Sequence, residues 1–243
     1  MMLINTVVLL LRELLPVVLL LSLLLAANPA AMRAILLRVL LLGAPLLLLQ
    51  SSQYRHLAEL WDGQGLEFWY ACCYGLCALL IAALLLQKHH HAWLAAAAVV
   101  ALLLINGSNL VLYLFLYPRQ LDDSQSLWLG VALGSGISLS IAVLIYHLVQ
   151  ELRLYWRQVA AVLLCFSAAR QISAAVFILH QMDLLGGAAP MLSQHLWIDE
   201  SSELGYFLNA LLGYKSNPSQ GQLLAWSLTL ILLLVLRRRE LKS

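Results

Sequence analysis

The run LINTVVLLLRELLPVVLLLSLLLA, residues 3–26, decides the fold. At a rise of 1.5 Å per residue it makes about 36 Å of helix, enough to cross a hydrocarbon core of roughly 30 Å. Its apolar residues are continuous, whereas the strands of a membrane barrel alternate apolar and polar positions. Three residues break the run: Arg12, Glu13 and Pro16. The start has one feature of a secretion signal, because Leu19–Leu25 ends in Ala26 and Ala27. However, Arg12 and Glu13 interrupt the apolar stretch and no basic segment precedes it, so a retained helix is expected.

The rest of the chain repeats this pattern. Hydrophobic residues make up 63% of the 243 residues and charged residues 11%, with a mean hydropathy of +0.87. Soluble domains carry roughly 25% charged residues, so the composition belongs to the membrane class. Six further apolar spans are expected at about 34–50 (containing Pro45), 66–87, 92–116, 127–149, 158–180 and 220–236. The fold class predicted is an all-α integral membrane protein with seven transmembrane helices, residues 1–243 forming one transmembrane domain. Membrane lipid is the expected surrounding, and no nucleic-acid partner is expected. Cys72, Cys73, Cys77 and Cys165 all lie in apolar runs without a CxxC pair, so they read as small membrane residues rather than disulfide or metal ligands.

Basic residues set the expected orientation. With the N-terminus outside, the inner loops hold Arg33, Arg38, Lys88, Arg153, Arg157, Arg237, Arg238, Arg239 and Lys242, and the outer ones only Arg55, Arg119 and Lys215. Nine against three follows the positive-inside rule, and an odd number of helices then puts the C-terminus in the cytoplasm. Eight acidic residues lean outward, among them Glu59, Asp62, Asp122, Asp183 and Glu203. Trp61, Trp69, Trp93, Tyr117, Trp128, Tyr155, Trp156 and Trp226 lie near span ends, where aromatic rings anchor at the interface. Two outer segments are too polar to cross. Residues 51–65 are amphipathic and lead into the third helix. Residues 181–219 contain Gly186, Gly187, Pro190 and Pro218 around a stretch, His195–Tyr214, expected to form a short surface helix.

Ionisable groups at mid-membrane cost several kcal/mol on insertion scales, so each marks a potential functional site. Arg12 and Glu13 lie mid-way along the first helix, Arg170 beside Gln171 mid-way along the sixth, and Glu67 opens the third. In the fourth helix Asn106 and Asn109 flank Gly107 and Ser108. At i and i+3 the two amides share one helix face, where both carbonyl oxygens could reach one ligand or hydrogen-bond a neighbouring helix. Pro16 has no N–H, so the carbonyl of Arg12 loses its helical partner and is free to meet a cation, unless Pro16 is simply a tolerated kink. Arg12, Glu13 and Arg170 read either as part of that site or as a structural ion cluster. The run His89-His90-His91 hints at metal binding or forms a solvated cap beside Lys88, and His180 is a lone interfacial histidine. No acid/base pair, nucleophile constellation or zinc-helix motif is present, so no enzyme is predicted.

The C-terminal part of the chain carries a resemblance. Leu196-Trp197-Ile198-Asp199, Glu203-Leu204-Gly205, Leu211-Leu212-Gly213-Tyr214, Pro218 and Trp226 resemble the end of the oxidase-dependent high-affinity iron permeases. So do His90-His91-Ala92-Trp93 before the fourth helix and Glu67 at the start of the third. The resemblance covers most of the chain in order. It implies seven helices with the N-terminus outside the cytoplasmic membrane, arranged as a 3+3 inverted repeat (about 3–87 and 92–180), an outer loop 181–219 and a final helix. It implies iron as transported substrate, with no resident cofactor, and a periplasmic or extracellular oxidase or cupredoxin-like partner.

The family's mark is Arg-Glu-Gly-Leu-Glu in the first and fourth helices, whose carboxylates bind iron as hard anionic ligands. This chain reads Arg12-Glu13-Leu14-Leu15-Pro16 in the first and Ile105-Asn106-Gly107-Ser108-Asn109 in the fourth. Of four acids only Glu13 remains, and Arg170 stands where the family is small and apolar. The expected metal ligands are therefore Glu13, Asn106, Asn109 and Glu67, supported by Arg12, Pro16, Arg170 and Gln171. With two arginines and one glutamate the interior is formally +1, which suits a less charged or partly hydrated ion better than a bare ferric ion. The alternative expectation is a non-transporting paralogue, partner of an intact permease subunit, in which Arg170 pairs with Glu13 and locks the two repeats.

Overall fold

In the computed structural model, which describes residues 2–87, 91–116, 124–185 and 202–240, each expected span is a helix. Among the described residues there are nine α-helices and no β-strand. Helices α1 (Met2–Ala27), α2 (Met32–Ser52), α4 (Gly65–Leu86), α5 (Ala92–Leu116), α6 (Ser124–Tyr155), α7 (Val159–Gln181) and α9 (Gln220–Glu240) are long and apolar enough to cross a membrane. The protein is a multi-pass membrane protein. Between them lie two short helices, α3 (Tyr54–Glu59) and α8 (Glu203–Leu212). The surface helix expected over 195–214 is described only from Ser202, and residues 195–201, like His89 and His90, lie outside the described residues.

Three helices differ from their expected lengths. Helix α2 runs unbroken through Pro45, which sits on the exposed side of the bundle. Helix α6 continues past the apolar run to Tyr155, and α9 through Arg237–Arg239. Their extra turns are polar, and they are held from outside the helix: Arg153 donates to the carbonyl of Ala26, and Arg237 Nη1 to the carbonyl of Leu85 at 2.6 Å. Cations beside the last carbonyls of α1 and α4 also complement the negative ends of those helix dipoles.

Helices α1 and α5 are central, with 56% and 67% of their membrane windows buried, against 11% for α2 and α9. The exposed leucines of α2, α6 and α9 form the apolar girdle expected to face lipid. The chief packings are α1 on α6, α5 on α2, α4 on α7, α4 on α5, α1 on α5 and α7 on α9. Exchanging α1 with α5, α2 with α6 and α4 with α7 maps the main contacts within the first six spans onto one another, but the α6–α7 contact has no comparable α2–α4 counterpart. Direction inverts as well: Thr6, near the start of α1, bonds Tyr113, near the end of α5, at 2.9 Å. That pairing is compatible with the expected inverted repeat, and α9 packs against α7 and α4.

Small residues make the two heterologous contacts close, as they do between membrane helices generally. On α6, Gly130, Gly134, Ser138 and Ala142 recur every four residues along the face against α1. A Cβ at Gly130 would lie 2.7 Å from Thr6 Cβ, and one at Gly134 2.8 Å from Leu10 Cβ. Ser22 of α1 donates its hydroxyl to the carbonyls of Val18 and Ala142, at 2.7 and 2.9 Å. On the equivalent contact Gly43 of α2 abuts Leu103, and Gly107 of α5 abuts Leu47. All four cysteines are free, and Cys77 donates to the carbonyl of Ala98 at 3.3 Å.

Candidate functional site: a central polar cleft

A cleft of about 560 Å³ opens between α1, α5, α7 and α8, with Tyr70 and Tyr74 of α4 in its wall. It runs from Gln181 and Lys215, where α7 ends, to Arg12, Glu13 and Pro16 in the middle of α1. Glu13 is eleven residues from the start of its helix, about 16 Å along the axis. The lining follows helical spacing. From α7 come Arg170, Ser173, Ala174, Phe177, Ile178 and Gln181, from α5 Ile105, Asn106 and Asn109, and from α8 Tyr206, Asn209, Ala210 and Gly213.

Glu13 is the one carboxylate in this lining, and it is 8% exposed. Its Oε2 accepts a hydrogen bond from Asn109 Nδ2 at 3.3 Å, which ties α1 to α5 at the point where the repeats meet. Asn106 donates Nδ2 to the carbonyl of Leu102 in its own helix, at 2.9 Å. Asn109 thus bonds a neighbouring helix and Asn106 its own, while each Oδ1 is unbonded among the described residues and belongs to a cleft-lining side chain. Below them, Ser108 donates to the carbonyl of Ile105 at 2.8 Å and accepts from the Tyr70 hydroxyl at 3.0 Å, which braces this stretch of α5 against α4. Helix α1 passes through Pro16 without a break, and Pro16 lines the cleft one turn from Arg12, whose carbonyl has no proline N–H to meet.

The basic groups are placed differently from the expected cluster. Arg170 Nε donates to Asn209 Oδ1 of α8 at 3.5 Å, and Glu13 forms no ion pair with Arg12 or Arg170 among the described residues. The expected Glu13–Arg170 lock is thus replaced by two separate hydrogen bonds, one between α1 and α5 and one between α7 and α8. Arg12, Arg170 and Lys215 all line the cleft, and the Lys215 ammonium lies 3.8 Å from the centre of the Phe177 ring. Against Glu13 alone, the formal charge of the lining is +2.

Two of the sequence-predicted residues stand outside the cleft. Glu67 is exposed in the first turn of α4, three residues before the cleft-lining Tyr70 and so one turn nearer the open face. Gln171 follows Arg170 but is turned about 100° around the helix. It is 0% exposed among the neighbours of α7, with both amide atoms unpaired. His180 donates Nδ1–H to the carbonyl of Val176 at 2.8 Å and packs against Gly221, a structural placement. No three His, Cys, Asp or Glu side chains converge among the described residues.

Sequence reasoning did not single out α8 as a wall of the site. The hydroxyl of Ser202 caps the start of α8 through the N–H of Gly205 at 3.0 Å, and left-handed Gly213 (φ 77°) ends it. A Cβ on Gly213 would lie 2.9 Å from Arg170 Cβ and 3.0 Å from Trp226 Nε1, so glycine is needed for space as well as for its backbone. Asn209 Nδ2 donates to the carbonyl of Tyr214, and Trp226 Nε1 to that of Leu212, at 2.9 and 3.1 Å. The Gly213-Tyr214 and Trp226 elements of the C-terminal motif therefore hold the segment that carries Asn209 and Lys215 into the cleft. Compared with known proteins, the chain matches no protein-family model, no curated protein and no solved structure.

Proposed function

We propose that this chain is a permease of the high-affinity iron permease type, moving iron or a related metal cation across the cytoplasmic membrane through the cleft between the two repeats. The observation that carries this reading is the meeting of Glu13, Asn106, Asn109 and Pro16 in one cleft, at the α1–α5 contact. Those are the positions at which the resemblance expects ligands, and they come from opposite halves of the chain. Glu13 is the anionic ligand, the two Oδ1 atoms and the Arg12 carbonyl are neutral ones, and exposed Glu67 attracts cations to the mouth. With the basic ends of α6 and α9 in the cytoplasm the N-terminus lies outside. The cleft then opens outward, toward an oxidase or cupredoxin-like donor.

The lining charge of +2 limits the cargo. A bare ferric ion would meet three cations and one carboxylate in a low-dielectric site, a heavy penalty. Ferrous iron, or iron that keeps anionic or water ligands, meets less repulsion. Purified protein in liposomes should take up radiolabelled iron, and Glu13→Gln should lower the rate about tenfold or more, equivalent to some 1.4 kcal/mol. Equal uptake by the two proteins removes Glu13 from the site.

The excess of basic over acidic side chains in the lining also supports a second reading, a non-transporting partner of an intact permease. In it Arg12, Arg170 and Lys215 stand in for the bound cation. Its mark is a wild type that takes up no iron and whose melting temperature iron leaves unchanged, yet which co-purifies with a second permease chain.

A further inference from the structure

A second charged cavity lies at the opposite end of the bundle, where α1, α4, α6 and α9 end and α7 begins. It has a volume of about 70 Å³ and is lined by Arg153, Arg157 and Arg237 together with apolar side chains including Leu84 and Leu164. No carboxylate is in the lining among the described residues. Two of the arginines have carbonyl partners, Ala26 for Arg153 and Leu85 for Arg237, and these offset part of their charge. The offset is incomplete. Arg237 Nε is buried with no hydrogen-bond partner, and exposed Arg157 has none among the described residues.

Three guanidinium groups around one small space repel each other unless an anion is present. Guanidinium groups present N–H donors in pairs that match phosphate oxygens. The volume is room for roughly two water molecules, comparable with a phosphate group. The cavity also lies at helix ends, the depth of lipid headgroups, and basic pockets between membrane helices at this depth take anionic headgroups. The rest of the lining is apolar and its Leu84 and Leu164 are buried. The cavity therefore takes the phosphate while the glycerol and acyl chains run outward into lipid, an anchorage that a free phosphate lacks.

We infer that Arg153, Arg157 and Arg237 bind the phosphate of an anionic phospholipid, which ties the ends of α6 and α9 to α1 and α4. The inference does not depend on what the central cleft carries.

The test uses the whole protein in mild detergent, incubated in turn with phosphatidylglycerol, phosphatidylcholine and inorganic phosphate. Native mass spectrometry reads bound lipid and thermal unfolding reads stability. Phosphatidylglycerol should be retained and raise the melting temperature, phosphatidylcholine should do neither, and inorganic phosphate should protect only weakly. Arg157 makes no structural hydrogen bond among the described residues, so Arg157→Gln should fold normally and lose most retention. Arg157→Lys keeps the charge without the fork and should fall between. Arg38→Gln, on α2 against Trp93, should behave as wild type. Equal retention of both lipids, or unchanged retention in Arg157→Gln, overturns the proposal. Protection by inorganic phosphate equal to that by phosphatidylglycerol makes it a free-anion site and overturns the lipid assignment.

Discussion

Helices α1 and α5 are the two most buried spans and pack on each other, yet they bring different chemistry to the centre. Each packs along a partner through glycine, α1 on Gly130 and Gly134 of α6, and α5 on Gly43 of α2 through its own Gly107 side. At mid-membrane α1 carries Arg12, Glu13 and Pro16, whereas α5 carries Asn106 and Asn109. Asn109 spends its amide N–H on the carboxylate of α1. The two glycine contacts are alike and the polar residues are not. Close packing constrains backbone approach, so it holds the small residues in both halves. It places no demand on which polar group faces the cleft, and there the two helices differ.

The largest effect should come from the packing that the halves share. Gly134→Leu forces a branched side chain where even a Cβ would meet Leu10 Cβ at 2.8 Å and the backbone of Val7 at 3.4 Å. Overpacking of this kind costs about 3 kcal/mol or more where the neighbour is backbone. The variant should give little monodisperse protein on size-exclusion chromatography. Gly107→Ala is the counterpart in the second half. Its methyl meets the δ-methyls of Leu47 at 3.0 and 3.2 Å and one of Leu103 at 3.3 Å, flexible side-chain ends that can rotate away. It should cost under about 1 kcal/mol and leave a cooperative melt. Equal losses in the two variants would show that the α1–α6 contact is no tighter than α5–α2.

The same distinction explains what was legible in the sequence. Helix α5 matches its expected bounds, 92–116, because its ends coincide with the ends of its apolar run. Helices α6 and α9 run further because Gln150, Glu151, Arg153 and Arg237–Arg239 continue the helix in polar residues. An apolar run measures the thickness of lipid crossed, not the length of hydrogen-bonded helix. Spacing alone brought Asn106 and Asn109 to one face and Glu13 to mid-helix, and the structure joins them. Gln171 was misplaced by one step of 100°. Asn209 was not found, since its role depends on α8 folding back over α7, a contact between segments 39 residues apart. The four-residue spacing of Gly130, Gly134, Ser138 and Ala142 was legible in principle, as small residues on one face of a long apolar helix.

A smaller effect tests the asymmetry of the site itself. Asn109→Asp would give α5 a carboxylate beside Glu13, removing the donor that Glu13 has now and adding a like charge. Without metal the variant should lose about 1–3 kcal/mol of stability, the cost of an unsatisfied buried acceptor. Under the permease reading, ferrous iron should restore that loss and raise the melting temperature more than in wild type, because two carboxylates now share one ion. If iron restores nothing, the cleft is not a cation site, and the arginine-filled reading gains.

The smallest effect should come from the bridge between the central helices near the open face, where Thr6 Oγ1 and Tyr113 Oη are 2.9 Å apart. Hydrogen bonds between membrane helices average about 0.6 kcal/mol in double-mutant cycles, because the separated helices also find partners. Thr6→Val and Tyr113→Phe should each lower the melting temperature slightly. The double variant should lose less than the two singles together, by a coupling of about 0.6 kcal/mol. Thr6 is also the residue against which Gly130 packs. Valine keeps the branched shape that fits there, so the double-variant cycle, rather than either single loss, reads the Thr6–Tyr113 link. A coupling near zero would leave Glu13–Asn109 as the polar link between α1 and α5 among the described residues, with apolar packing beside it.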